Sequence, residues 1–345
     1  MHPRVNLFSD TQTTPTPAMR AAIAAAEVGD EQRGEDPTVN ALCARVADLL
    51  GFEAAVFLPS GTMCNEIAIR LHIRPGGDAI YLHRTAHPLH FEAGGPAALS
   101  GAVTLALDGP GGTFDAATLA AALPVPGNRY APRARLVSVE QTTNVAGGRV
   151  WSLESVRAVL GVARSNGLRA HLDGARLMNA VVASGVSARD WCAGFDTAWI
   201  DFTKGLGAPV GAVLAGSREL IDEAWRYKQM LGGAMRQAGI VAAAALYALE
   251  NHVERLAEDH ALARRLADGL SAIPGIALDP AAVETNIVVF EVPDASAFLA
   301  ALSAHGVAMS PLGARTVRAV THLDVDADGI ALALVAARDV LAGGG

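Results

Sequence analysis

The chain has 345 residues, 51% of them hydrophobic and 18% charged, so it can bury a large core and is not a disordered segment. Its formal net charge of −8, with no run of like charges, leaves no basic stripe for nucleic acid. Aromatics amount to only 5%, which favours helices packed on a sheet over an aromatic binding platform.

In chain order, Val5–Thr16 is polar and Pro/Thr-rich, a poor core element. A helix over Pro17–Val28, a loop over Gly29–Asp36 and a second helix over Pro37–Leu50 follow. Short apolar runs then alternate with amphipathic stretches, the pattern of βαβ units around a mainly parallel sheet. Strands are predicted at Ala55–Leu58, Ala79–Leu82, Leu136–Val139, Arg169–Leu172, Thr197–Phe202 and Ala212–Ala215. Helices are predicted near Cys64–His72, Ser152–Ser165 and Gln237–Leu249.

Beyond His252 the character changes. A charged helix (Val253–Ile273), strand Ile287–Val292, helix Ala295–His305, strand Val317–Thr321 and a last helix from Asp328 read as a small α+β unit. The expected division is a large domain over residues 1–251, with an N-terminal arm, and a small one over 252–345. Met1-His2-Pro3-Arg4 has no signal-peptide pattern, and Ala238–Leu249 is too short to span a bilayer. Cys43, Cys64 and Cys192 lack metal or redox spacing and suit a reducing compartment, so a cytoplasmic protein is expected.

The most informative stretch is Trp199–Gly207. Lys204 ends an apolar strand and is followed by glycines that admit close backbone approach. A lysine at the edge of a desolvated site loses proton affinity and frees its amine for Schiff-base formation, although a strand-capping surface lysine has the same local sequence. Asp173, in His171–Arg176, ends another strand, where ligands of open α/β sheets bind. A buried aspartate there can hold a pyridinium N–H, although Asp-Gly also marks plain turns. Ser60-Gly61-Thr62 follows a strand and opens a helix, either a phosphate cradle or an ordinary cap. Phosphate turn, aspartate and lysine in this chain order reinforce one another.

Two lookalikes are weaker. Gly205–Gly211 has the wrong glycine spacing for a dinucleotide fingerprint and lies too deep in the chain. His83, His87 and His90 have the spacing of a helical metal face, but Pro88 argues against one regular helix, and no metal site is expected.

With these residues in view, the chain resembles the threonine aldolase family of fold-type-I pyridoxal-phosphate enzymes. The resemblance rests on Ser9-Asp10-Thr11, Gly34–Val39, Ser60-Gly61-Thr62, His87 with Phe91–Gly95, His171–Arg176, Thr203–Gly211, Gly232–Gln237 and Arg318–His322. It implies an aspartate-aminotransferase-like large domain, Lys204 as the Schiff-base lysine, Asp173 at the pyridine nitrogen and His87 stacked on the ring. It also implies a phosphate cradle of Ser60, Gly61 and Thr62, with Arg236 reaching a neighbouring subunit's phosphate. Ser9, Arg176 and Arg318 would hold the substrate carboxylate, with Arg176 also near the cofactor. Members resemble one another as tetramers of two close dimers.

The implied reaction cleaves a β-hydroxy-α-amino acid to glycine and an aldehyde. The alternative is a β-eliminating lyase or racemase using the same cofactor. Two positions depart from the family pattern. Thr143 stands where a histidine near the substrate hydroxyl is common, leaving His87 or a water as the base, and Arg33 stands where a tyrosine is common.

Overall fold

The computed structural model describes residues 3–343; Met1-His2 and Gly344-Gly345, the last two residues of the glycine tail, lie outside the described residues. The strands before residue 251 are β1 (Val5–Asn6), β2 (Ala54–Leu58), β3 (Asp78–His83), β4 (Val103–Leu107), β5 (Arg133–Glu140), β6 (Arg169–Gly174), β7 (Thr197–Asp201) and β8 (Ala212–Gly216). All but β1 form one seven-stranded sheet in the order β2-β8-β7-β6-β5-β3-β4. Strands β3 to β7 run parallel, whereas β8 lies antiparallel between β7 and β2. Every residue of β7 and β8 is buried. Helices cover both faces of such a sheet, so these strands read as continuous apolar runs rather than alternating ones.

The helix Pro37–Leu50 begins where Asp36 accepts hydrogen bonds from the amides of Thr38 and Val39, at 3.1 and 3.0 Å. The preceding helix stops at Ala24 rather than Val28. Thr38 donates to the Glu27 carbonyl at 2.6 Å and the Gly29 amide to Asp36 at 3.2 Å, drawing that segment out of the helix. Strand β4 and helix Arg218–Met230 are additions to the sequence-based elements. β4 is an edge strand buried only at Leu107, so its residues carry little of the apolar signal of a central strand.

The C-terminal unit holds β9 (Ile287–Glu291), β10 (Val307–Ala308), β11 (Ser310–Pro311) and β12 (Thr316–Val320). Here β11, β12 and β9 form an antiparallel sheet, while β1 pairs in parallel with β10. Val5 and Leu7 pack in the same apolar core as Leu266, Phe290, Phe298 and Ile330. The N-terminal segment is therefore a core element at its start, contrary to its polar composition, because the two apolar side chains alternate along an extended strand. This anchoring delivers Ser9 and Asp10 to the ends of the large sheet. Among the described residues, no helix is long and apolar enough to cross a membrane.

Candidate active site

A cavity of about 400 Å³ opens at the C-terminal ends of β5, β6 and β7. Register places Glu140 beside Asp173 and Asp173 beside Trp199, so three parallel strands present neighbouring side chains to one space. Lys204, Asp173, His87, Ser60, Gly61, Thr62, Ser9, Arg176 and Arg318 all line it. A larger cleft of about 760 Å³ lies at the opposite strand ends beside Arg135, Arg169 and Arg189. Each of those arginines already has a carboxylate partner, in Asp78, Asp196 and Asp48.

Lys204 follows β7 on a tight turn. Its amine donates to Asp201, its side chain is 16% exposed, and it stands 5.7 Å from the Trp199 ring centre. The sequence holds only one other lysine, Lys228, which is fully buried against Glu31 and the Trp225 ring. Burial pulls the Lys228 ammonium below its ordinary value despite Glu31. Lys204 is thus the one lysine amine that an aldehyde ligand can reach.

Asp173 is 2% exposed. One oxygen accepts from the Asn65 amide at 2.8 Å and the other from the Ala175 backbone at 3.1 Å. Burial pushes its carboxyl above the usual range, against the pull of His87 and Asn65. A buried carboxylate short of a cation, aimed into a cavity, is matched by a pyridinium N–H.

The His87 imidazole is bonded through Nδ1 to Glu92 at 2.8 Å, and its backbone amide donates to Glu140 at 2.9 Å. Burial lowers its pKa, but the Glu92 hydrogen bond and the charges of Asp173, Glu92 and Glu140 outweigh that and raise it. His83 bonds instead to Thr85 and the Gly109 carbonyl, and His90 to the Arg84 carbonyl, so the three histidines face different partners.

Ser60 caps the helix Gly61–His72, accepting from the Met63 amide at 3.2 Å. The first-turn N–H groups of Gly61 and Thr62 have no intrahelical partner and, with the helix dipole, suit a phosphate. Gly61 has a second constraint: a Cβ there would run into the Trp199 indole.

The opposite corner is built from two arginines. Arg176 is buried and grips Asp10 with two hydrogen bonds of 2.8 and 2.6 Å, Asn286 adding a third to Asp10 at 3.1 Å. Burial pushes Asp10 up, yet Arg176 overcomes this and holds the carboxyl well below the usual range. Arg318 donates to Asn144 at 2.8 Å and to Ser310 at 3.2 Å, and burial together with the Arg176 charge lowers its pKa. Two guanidinium cations and one carboxylate leave a net charge of +1, which matches one substrate carboxylate. Ser9 lies alongside, its hydroxyl accepting from the Thr11 hydroxyl at 2.8 Å.

One expectation is corrected. Thr143 does not face the cavity. It is 1% exposed, accepts from the Arg149 amide at 3.1 Å and packs where a Cβ on Gly112 would collide, while its neighbours Thr142 and Asn144 line the site. Arg236, expected to reach a neighbouring subunit's phosphate, lies outside the cavity of its own chain, with its side chain 61% exposed and paired with Asp30 at 2.8 Å. Sequence reasoning gave no role to Asp10, Asn65, Glu92, Glu140, Asn144, Trp199 or Asp201. Asp10, Glu92, Trp199 and Asp201 stand inside quoted motifs, but Asp10 meets Arg176 across 166 positions and Trp199 meets Asn65 across 134. Asn65-Glu66 was visible only as a polar pair on the otherwise apolar inner side of a helix.

A family profile described as beta-eliminating lyase matches residues 6–293. The chain is 40% identical over 330 residues to the low specificity L-threonine aldolase of Escherichia coli (strain K12), covering 95% of this chain and 96% of that one. It is 39% identical over 334 residues to the probable low-specificity L-threonine aldolase 2 of Arabidopsis thaliana, covering 94% of each. Among solved structures, a Leishmania major threonine aldolase shares the fold with a TM-score of 0.83 at 22% identity, covering 97% of this chain and 99% of that one. Fold and site together define a pyridoxal-phosphate enzyme. The chain belongs to the beta-eliminating lyase family, in its threonine aldolase branch.

Proposed function

We propose that this cavity cleaves β-hydroxy-α-amino acids such as L-threonine, L-allo-threonine or phenylserine between Cα and Cβ, releasing glycine and an aldehyde. The observation that carries the reading is the convergence of the reachable lysine, the buried Asp173 and a free helix N-terminus on one cavity beside a corner of net charge +1. Lys204 would hold the aldehyde carbon of pyridoxal phosphate, Asp173 its pyridine nitrogen, Ser60, Gly61 and Thr62 its phosphate, and His87 one face of its ring. Bound there, the cofactor supplies an electron sink for the pair released at Cα.

The remaining tasks fall to the chain. Arg318, Arg176 and Ser9 hold the substrate carboxylate, and that anchorage selects which Cα bond is turned toward the sink. His87 Nε2, which has no partner among the described residues, takes the β-hydroxyl proton as the Cα–Cβ bond breaks and the aldehyde carbonyl forms. Lys204, displaced by the substrate amine, is placed to return a proton to Cα, completing glycine.

Arg236, on an exposed turn, is assigned to the phosphate of a second copy in a dimer of dimers. Residues 1–251 act as the cofactor-binding domain and 252–345 as the small domain, and three free cysteines support a cytoplasmic setting. The test is a panel of β-hydroxy amino acids with both products quantified. Glycine and aldehyde in equal amounts are expected; ammonia with the 2-oxo acid that keeps the substrate's side chain would overturn the aldolase reading in favour of β-elimination.

A further inference from the structure

Behind the cavity, Asn65 is 1% exposed on the inner side of helix Gly61–His72. Its carbonyl oxygen meets Trp199 Nε1 at 2.7 Å and His171 Nε2 at 3.2 Å. Its amide nitrogen donates to Asp173 at 2.8 Å and to Glu92 Oε1 at 2.7 Å. Trp199 can only donate and carboxylates accept, so the amide has one satisfactory orientation. His171 then donates through Nε2, and its Nδ1 accepts from the Thr197 hydroxyl at 2.8 Å. Glu92 Oε1 also meets His87 Nδ1 at 2.8 Å. One amide and one carboxylate therefore touch both groups that would flank the cofactor ring.

Glu66 completes the cluster. It is 4% exposed, and its carboxyl lies against Gly95, three residues beyond Glu92. Among the described residues, both its oxygens and Glu92 Oε2 are buried without a donor, and no cation pairs with Glu66. Two facing carboxylates cannot both stay ionised in such a place. Burial and the facing Glu92 push Glu66 up to about 8. The paired glycines after Glu92 fit the same arrangement. Gly94 adopts a φ of +78°, and a Cβ on Gly95 would enter the Glu66 carboxyl.

We propose that Glu66 and Glu92 share a single proton, and that with Asn65 they form a positioning unit aiming the Asp173 carboxylate and holding the His87 ring as its Nδ1–H form. The proposal rests on the reading of the cavity as a pyridoxal-phosphate site.

The test uses the cofactor-loaded enzyme as wild type, Glu66→Gln, Glu92→Gln and Asn65→Leu. Near neutral pH the wild type should show a protonated-carboxyl stretch in its infrared spectrum that Glu66→Gln removes. The new amide donates to Glu92 in place of the shared proton, so kcat/KM should stay within about threefold. Asn65→Leu should lower kcat by about 10²-fold with KM little changed and shift the absorption band of the bound cofactor. Glu92→Gln, close in shape to the native residue, removes the charged acceptor of His87 and should move the acid limb of the kcat/KM profile down by about one pH unit. A band that is absent, or that survives in Glu66→Gln, overturns the shared proton. Wild-type kcat and absorption in Asn65→Leu, or an unmoved acid limb in Glu92→Gln, overturns the positioning role. Failure of the wild type to take up cofactor would sink the reading of the site instead, while the infrared band, a property of the protein alone, still decides the pair.

Discussion

The two walls of the cavity are made in different ways. The cofactor wall hangs from the ends of adjoining strands in one sheet, so Asp173, Trp199 and Asp201 are placed by strand register. The carboxylate corner is assembled from four distant segments, holding Ser9 and Asp10, Asn144, Arg176 and Arg318. The first wall needs only that the sheet form. The second needs the small unit to be docked and the N-terminal strand to be paired with Val307–Ala308. Substitutions in the first should therefore act on turnover, and substitutions in the second on stability and substrate affinity.

The largest expected effect lies on the cofactor wall. Asp173→Asn should retain bound cofactor but lose turnover by about 10²-fold or more, because a neutral amide no longer holds the pyridine nitrogen protonated. Near-normal kcat would remove Asp173 from the chemistry and erase the contrast. On the other wall, Asp10→Asn strips a buried guanidinium of its charge partner. It should cost about 3–5 kcal/mol of stability, read by denaturant titration, and raise KM by about tenfold with a smaller change in kcat. A drop in kcat alone would place Asp10 with the cofactor groups.

These differences explain what was legible beforehand. The strand-end aspartate and lysine, and the helix opening at Ser60, each carry a local pattern of an apolar strand broken by polar and glycine residues. Most of the sheet was readable for the same reason, since fully buried strands are continuous apolar runs. The Arg176–Asp10 pair spans 166 positions and leaves no periodic trace. Asn65, Glu66 and Glu92 are polar groups whose meaning depends on one another's positions, which only the packed helix provides. Thr143 was misread because its family position was legible but the direction of its side chain was not.

A smaller effect separates the positioning cluster from both walls. Glu66 has a folded-state pKa of about 8, above the 4.5 of an ordinary glutamate. Across that interval the folded chain keeps a proton that the unfolded chain has released. The associated stability is therefore fully present below 4.5 and is lost as pH rises through about 8. Glu66→Gln lacks this slope and should gain on the wild type by up to about 1 kcal/mol per pH unit between those limits. Parallel stability curves for the two proteins would count against a proton on Glu66.

The smallest expected effect is on specificity at position 143. Thr143→His introduces a ring beside Gly112 and Arg149, so it should cost about 1–3 kcal/mol through overpacking. The ratio of kcat/KM for phenylserine to that for threonine should stay unchanged. A clear move toward threonine would mean that this side chain reaches the cavity after all.

The most direct measurement is borohydride reduction of the cofactor-loaded enzyme followed by peptide mapping. With only two lysines in the sequence, the outcome is nearly binary. Cofactor mass on the single peptide that contains Lys204, with bleaching of the bound chromophore, is the expected result. Label on Lys228, or a reduced protein carrying no label, would contradict the placement of the cofactor at the end of β7.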